Sequence, residues 1–471
     1  MIEAASAPWL LRPSGDWGEL RLLVRLASRE ASPGEPWEVD PQQLGLSADD
    51  LSLTWAGERR APRALRPTRL GRGLCVARFA DLPWPRSGLH YQVACGARRT
   101  PPIAIPPDPP PGEPWRFLLL SDHQQKPGVP ATLAAVRRLA TRRTFHGMLF
   151  AGDLCGIPDD PTAWCGRGDD RSFFDSLAAP VASLYRATQP PRLPGSDLPP
   201  RPLLISTMPL VSCIGNHEVS SLSGATPRER FLRVSPADWN HDTYMRLFHP
   251  GPDAICFAQR LGPLRLISLF VSRCWFRGEH ETRSGPCYEP PGRFIFESID
   301  PGSCQYVWLQ REVARDLVRA PAVGEASPWL RIVLMHHGPY AQGHNSLPLF
   351  GEPVAYREHK ITEHLMPLLE PWADLVISGH NHAVNHHELG GIHFLESSHI
   401  GVGYPPARTQ AGGSAAREPL GHPSRFFLSE EGATFFATLE VRVDPGGRQG
   451  RVTIYRVLAG GACESEYAFV L

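Results

Sequence analysis

The chain has 471 residues, 48 basic and 48 acidic side chains, a pI near 7.3 and 42% hydrophobic residues. That length predicts two units, one large and one small, and that apolar fraction allows a sizeable core. Balanced charge excludes a protein built to coat nucleic acid or an anionic membrane. Arg replaces Lys almost everywhere, Lys occurring only at Lys126 and Lys360, and with 50 Pro this reads as the drift of a GC-rich, bacterial genome. Residues Met1 to Arg12 lack a basic segment followed by a long apolar one, and no run of about 18 apolar residues occurs. The expectation is a cytoplasmic protein with neither export signal nor membrane span. The ten Cys include no Cys-x-x-Cys pair, so reduced, mostly buried thiols are expected. Cys274 and Cys287 are the pair to suspect in an oxidising compartment.

Residues 1–108 read as a small all-β sandwich. Leu20 to Leu26 and Leu89 to Cys95 are apolar or alternating runs between Gly, Pro and Ser turns. Pro101 to Pro114 reads as a stiff, extended linker, and residues 109–471 as the second domain. There the pattern becomes strand–helix alternation, which implies parallel β-α-β units. Strands are predicted over Trp115–Leu120, Gly147–Ala151, Pro209–Ile214, Leu264–Val271, Leu330–Met335 and Ala373–Ser378. Helices are predicted over Ala131–Arg143, Ser172–Arg186, Gln305–Arg319 and Tyr356–Leu369. The tail returns to strands at Thr434–Val443 and Arg451–Val457. The stretches 187–204, 219–262, 276–303 and 401–430 are long, Pro- and Gly-rich and non-periodic, as active-site walls often are.

Polar, metal-competent residues follow one apolar strand after another: Asp122-His123-Gln124, Gly152-Asp153, Gly215-Asn216-His217-Glu218, His336-His337 and Gly379-His380-Asn381-His382. In an open α/β sheet the strand C-termini share one edge, where ligands bind. Mixed carboxylate, amide and imidazole donors suit Zn, Mn, Fe or Co. One Asp carboxylate can bridge two such ions about 3.5–4 Å apart, and the pair activates a shared water for in-line attack on phosphorus. The bland reading of the same residues is loop polarity with turn-forming Asn and Gly; five ordered sites weigh against it.

This order of motifs resembles the calcineurin-like metallophosphoesterase superfamily over residues 115 to 400, and within it the purple acid phosphatases. Leu330 to His336, Tyr244 to Pro250 and Gln305 to Leu309 carry the second likeness. The resemblance implies a four-layer αββα sandwich preceded by a fibronectin III-like β-sandwich. It implies a dinuclear centre of two divalent or trivalent ions (Fe, Mn or Zn). Asp153 would bridge, Asn216, His336 and His380 would complete the second site, and Asp122 and His382 would bind the first. His217 would stand by the phosphate as acid or transition-state stabiliser. The implied reaction is hydrolysis of a small phosphomonoester by a metal-bound hydroxide. The alternatives are a diesterase on nucleotide or lipid-type esters, or a degenerate member that only binds a phosphorylated ligand.

The first site departs from the superfamily. Its usual His two residues after Asp122 is Gln124, and the Tyr that purple acid phosphatases place three residues after the bridging Asp is Gly156. Either Gln124 coordinates through its amide oxygen, or His123 turns in. Cys155 is read as a buried structural thiol, with a thiolate ligand as the outside alternative. His344 lies where that family keeps substrate-side histidines, although the ordinary loop-residue reading outweighs that one. Lys126, Arg273 and Arg277 are cations near the motifs that either meet phosphate or solvent.

Overall fold

The structure is a computed structural model. It describes residues 2–471 apart from 15, 27–36, 72, 167–169, 186–202, 233–238, 250–254, 273, 276–293, 296–297, 319–328, 342–355, 358–360, 398–399, 401–424, 429–432 and 445–446.

The N-terminal region forms two antiparallel sheets, as its alternation predicts. One is built on the pair Trp17–Leu26 and Leu74–Pro83, the other on Leu51–Trp55 and Leu89–Cys95. Ile103–Ile105 pairs with Leu89–Tyr91. The first part of the expected linker is therefore a strand of the sheet, because Ile103 and Ile105 are both buried on one face.

Two further sheets carry the motifs. The first runs Leu210–Ser212, Gly147–Phe150, Trp115–Leu120, Phe435–Asp444, Gly447–Val457, Cys463–Val470, its first three strands parallel. The second runs Phe257–Leu261, Leu264–Ser268, Leu330–Leu334, Leu375–Ser378, Ile392–Glu396, Val384–Leu389, Phe426–Leu428, with a parallel centre. Side chains alternate along each strand, so each sheet serves two cores. Phe117 and Leu119 share a cluster with Leu266, Ile332, Leu334 and Ile377 of the second sheet. Leu118 and Leu120 point the other way, against Val129, Leu133 and Val136 of the helix Val129–Ala140. Ile267, Val333 and Val376 face Leu309 and Val313 of the helix Cys304–Val318.

Two predicted helices change. Ser172–Arg186 is broken at Pro180 into Phe173–Leu177 and Val181–Leu184, since Pro lacks the N–H that a helix interior needs. In place of a helix over Tyr356–Leu369, Tyr356–Arg357 pairs with Tyr340–Ala341, and among the described residues the helical ones are Ile361–Leu365 and Met366–Leu369. The hairpin Val384–Leu389 with Ile392–Glu396 was not foreseen. Its run of His residues hides the apolar alternation that marks a strand.

The N-terminal sheets are bound to the rest by buried polar contacts. Arg21 donates to the carbonyls of Leu247 (2.6 Å) and His249 (2.9 Å) and pairs with Glu19. Tyr91 Oη donates to Ser206 O at 2.7 Å, and Trp9 stacks on Phe174 with ring centroids 4.4 Å apart. No helix among the described residues is long and apolar enough to cross a membrane. The eight Cys whose side chains are described are free thiols, and the Cys274–Cys287 pair lies outside those residues.

Candidate metal centre

The five motif loops converge at the C-terminal ends of the parallel strands. Six of the nine non-glycine residues with positive φ among the described residues are here: Asp122, Gln124, Gln125, Asp153, His380 and His382. Backbone strain of this kind persists where the surrounding structure imposes it, and it gathers at functional sites. Two glycines make the approach possible. A Cβ on Gly152 (φ +82) would lie 2.7 Å from His336 Nδ1, and one on Gly215 would collide with Asp153 Oδ1.

Asp153, Asn216, His336 and His380 form the better defined half. Asn216 Oδ1 lies 3.1 Å from His336 Nε2 and 3.1 Å from His380 Nδ1, and His336 Nε2 lies 3.2 Å from Asp153 Oδ2. His336 Nδ1 donates to Ala151 O at 2.7 Å. That bond fixes the tautomer and turns Nε2 toward the carboxylate, as the outer partner of a metal-bound His does. Burial opposes charge on His336, but Asp153 and Asp122 push its pKa up to about 9. Burial and the neighbouring His336 hold His380 down to about 3, as a neutral imidazole. In the ion-free site a proton held on His336 stands between the amide and carboxylate oxygens; with that proton displaced, the lone pairs of an amide, a carboxylate and two imidazoles would be left to one cation. Asp122, Asp153 and His336 also bring donor atoms within 4.8 Å of one another. His337, the alternative to His336, stacks on His380 with centroids 3.7 Å apart. It is His336 that reaches Asp153.

The other half differs. His382 Nε2 lies 3.4 Å from Asp122 Oδ1, and Asp122 accepts from the His380 N–H at 3.2 Å. Gln124 turns its amide nitrogen toward Asp153 Oδ2. His123 does not turn in. It is buried, its Nε2 is 2.8 Å from Ser176 Oγ, its ring meets Phe173 edge-on, and burial lowers its pKa to about 3. Cys155 is a buried thiol whose pKa burial raises well above the usual value, and it faces Glu218 and the His217 carbonyl. Gly156 uses its backbone instead of a side chain, its carbonyl lying 2.9 Å from His217 Nδ1. Lys126 Nζ stands 2.7 Å from Nδ1 and 2.8 Å from Nε2 of His382. Burial lowers its pKa to about 8 against the pull of Asp122 and Asp153.

Glu218 is a residue whose part the sequence did not reveal. Its buried carboxylate accepts from the amides of Gly215 (2.7 Å), Asp153 (2.9 Å), Leu154 (2.7 Å) and Cys155 (3.3 Å). It ties the loop of Asp153 to the loop of Asn216. Burial and Asp153 push its pKa up, while four N–H donors favour the ionised form. Its place in the run Gly-Asn-His-Glu was the available signal. His344 and the phosphate-binding candidates Arg273 and Arg277 lie outside the described residues.

The model of the calcineurin-like phosphoesterases matches residues 116–384, and the chain belongs to that family. Among solved structures it is similar to purple acid phosphatase PPD1 from yellow lupin (Lupinus luteus) seeds, at 13% identity and a TM-score of 0.56, over 99% of this chain and 74% of that one. It also matches GAP50, the anchor in the inner membrane complex of Plasmodium, at 13% identity and TM-score 0.40, over 76% and 89%. A third match is phosphopantetheinyl hydrolase PptH from Mycobacterium tuberculosis, at 12% identity and TM-score 0.26, over 60% and 89%. The first of these is a likeness of fold. A search of curated proteins gives no match.

Proposed function

We propose that the chain is a phosphoesterase with a two-cation centre that hydrolyses a small phosphomonoester. One metal ion, of Fe, Mn or Zn type, belongs to Asp153, Asn216, His336 and His380. A second positive charge belongs beside Asp122, Gln124, Asp153 and His382. The observation that carries this reading is the convergence of His336 Nε2 and His380 Nδ1 on Asn216 Oδ1, beside Asp153. Bound there, a metal ion supplies Lewis acidity that activates water and draws charge off the phosphate.

The chain's own residues supply the rest. Asp153 faces both halves, Oδ2 toward His336 and Gln124 and Oδ1 accepting the His217 N–H at 2.9 Å. Since a carbonyl only accepts, His217 Nδ1 donates to Gly156 O and Nε2 is left for the leaving oxygen. The ring of His217 is stacked against Phe231, which holds its plane. Residues 1–108 are read as a fibronectin III-like support and 109–471 as a four-layer αββα catalytic domain. The shared core clusters support the layers. The monoester reading rests on the motif likeness to purple acid phosphatases, and the balanced charge speaks against a nucleic-acid polymer.

The test is a panel of aryl and nucleoside monophosphates and of matching diesters, assayed with chelator-treated protein and after addition of Mn, Zn or Fe. Metal-restored turnover of monoesters is expected. Turnover of diesters alone would move the assignment, and phosphate binding without turnover under every metal would replace it.

A further inference from the structure

The loop after Asp122 contains one of only two lysines in the chain, and it does not point to solvent. Asp122, Gln124 and Gln125 all take positive φ, and this tight course returns Lys126 to the site. Its ammonium covers both ring nitrogens of His382, at 2.7 and 2.8 Å. His382 is the one imidazole among the residues proposed for the first position. An ion placed there would need the lone pair that the ammonium already faces. Gln124 presents an N–H to Asp153 Oδ2, and Gly156 has no side chain to offer.

We infer that the first cation of this centre is the ε-ammonium of Lys126, so that the protein binds a single metal ion, at Asp153, Asn216, His336 and His380. The inference rests on the phosphoesterase reading and narrows it. Charge balance points the same way. Two carboxylates, Asp122 and Asp153, face the pair of positions. One divalent ion plus the ammonium sets three positive charges against them, whereas two divalent ions plus the ammonium set five in a largely buried site. A lysine is a point charge with rotatable donors and no lone pair while protonated. In this position it attracts the phosphate without competing for Asp153 as a metal ligand. It compensates for the loss of the usual His and Tyr at Gln124 and Gly156.

The experiment counts ions. Chelator-treated full-length protein is titrated with Mn²⁺ and with Zn²⁺ by calorimetry, bound metal is measured after dialysis, and the Mn²⁺ form is examined by electron paramagnetic resonance. The wild type should bind about one ion per chain with the spectrum of an isolated Mn²⁺, rather than the coupled pair of a two-metal site. Lys126→Arg should stay at one. Lys126→Met combined with Gln124→His removes the cation and restores an imidazole, and should bind a second ion and show exchange coupling. Circular dichroism confirms that each variant is folded, and the wild-type count stands by itself if the double variant is not. Two tight ions in the wild type would overturn the inference, as would a folded double variant that still holds one. Metal counting is independent of turnover. One ion with no hydrolysis of any ester would leave this inference standing and remove the proposed function; two ions with hydrolysis would do the reverse.

Discussion

His336 Nδ1 and the Ala151 carbonyl are joined at 2.7 Å across 185 residues of sequence. This bond commits Nε2 to the Asp153 side, where it lies 3.2 Å from Oδ2. The strand ending at Phe150 and the strand ending at Leu334 belong to different sheets, so the contact joins the two sheets and makes the spacing of Asp153 and His336 a property of the fold.

Asp153 is the residue both halves share. Asp153→Ala should lose nearly all bound metal and all turnover, with the far-ultraviolet circular dichroism unchanged. Normal metal content in this variant, measured by elemental analysis, would show that Asp153 does not hold the ion.

In the proposed reaction His217 acts on the substrate side and not on the metal. His217→Ala should retain the metal stoichiometry of the wild type and lose about 10²–10⁴-fold in kcat, the range for a positioned acid or base. Metal loss as large as in Asp153→Ala would instead make His217 a ligand.

Glu218→Gln keeps size and removes charge. An amide group cannot accept from four backbone N–H groups as a carboxylate does, so at least one buried donor loses its partner. The metal-free variant should be destabilised by about 1–3 kcal/mol, and metal affinity should fall by about 10–100-fold, as for loss of an outer partner. Urea unfolding and calorimetry measure the two. An unchanged midpoint would mean that the loop contacts are not stabilising.

His386, in the strand that follows His382, gives a pH dependence of its own. It is buried, stacked on Phe469, and 3.0 Å from both His393 Nδ1 and Tyr467 Oη. Burial, and then His393 and Arg425, lower its pKa from 6.5 to about 3. Between those values the unfolded chain holds a proton that the folded chain does not. Stability therefore falls as pH falls below 6.5, with a slope of up to about 1.4 kcal/mol per pH unit from this residue. In metal-free protein His386→Phe should flatten the dependence of stability between about pH 7.5 and 5 by up to that amount. An unchanged slope would show that His386 keeps its proton in the fold.

The sequence alone determined the order of the site. Each motif directly follows an apolar strand, and a parallel sheet must deliver strand ends to one edge, so the convergence of Asp122, Asp153, Asn216, His336, His380 and His382 is legible in the chain itself. The helices Val129–Ala140 and Cys304–Val318 were legible for a similar reason: their apolar spacing is regular over three turns or more. What the tertiary structure decided depends on contacts between segments far apart in the chain. Whether Gln124 or His123 faces the site follows from left-handed turns that pattern does not encode, and from a core of Phe173 and Ser176 that accepts the His123 ring. Glu218 finds three of its four amide partners 63 to 65 residues away. The return of Lys126 onto His382 spans 256 residues. Periodicity reports which face of an element is buried; it carries no information about which loop side chain meets a charge brought in from another strand.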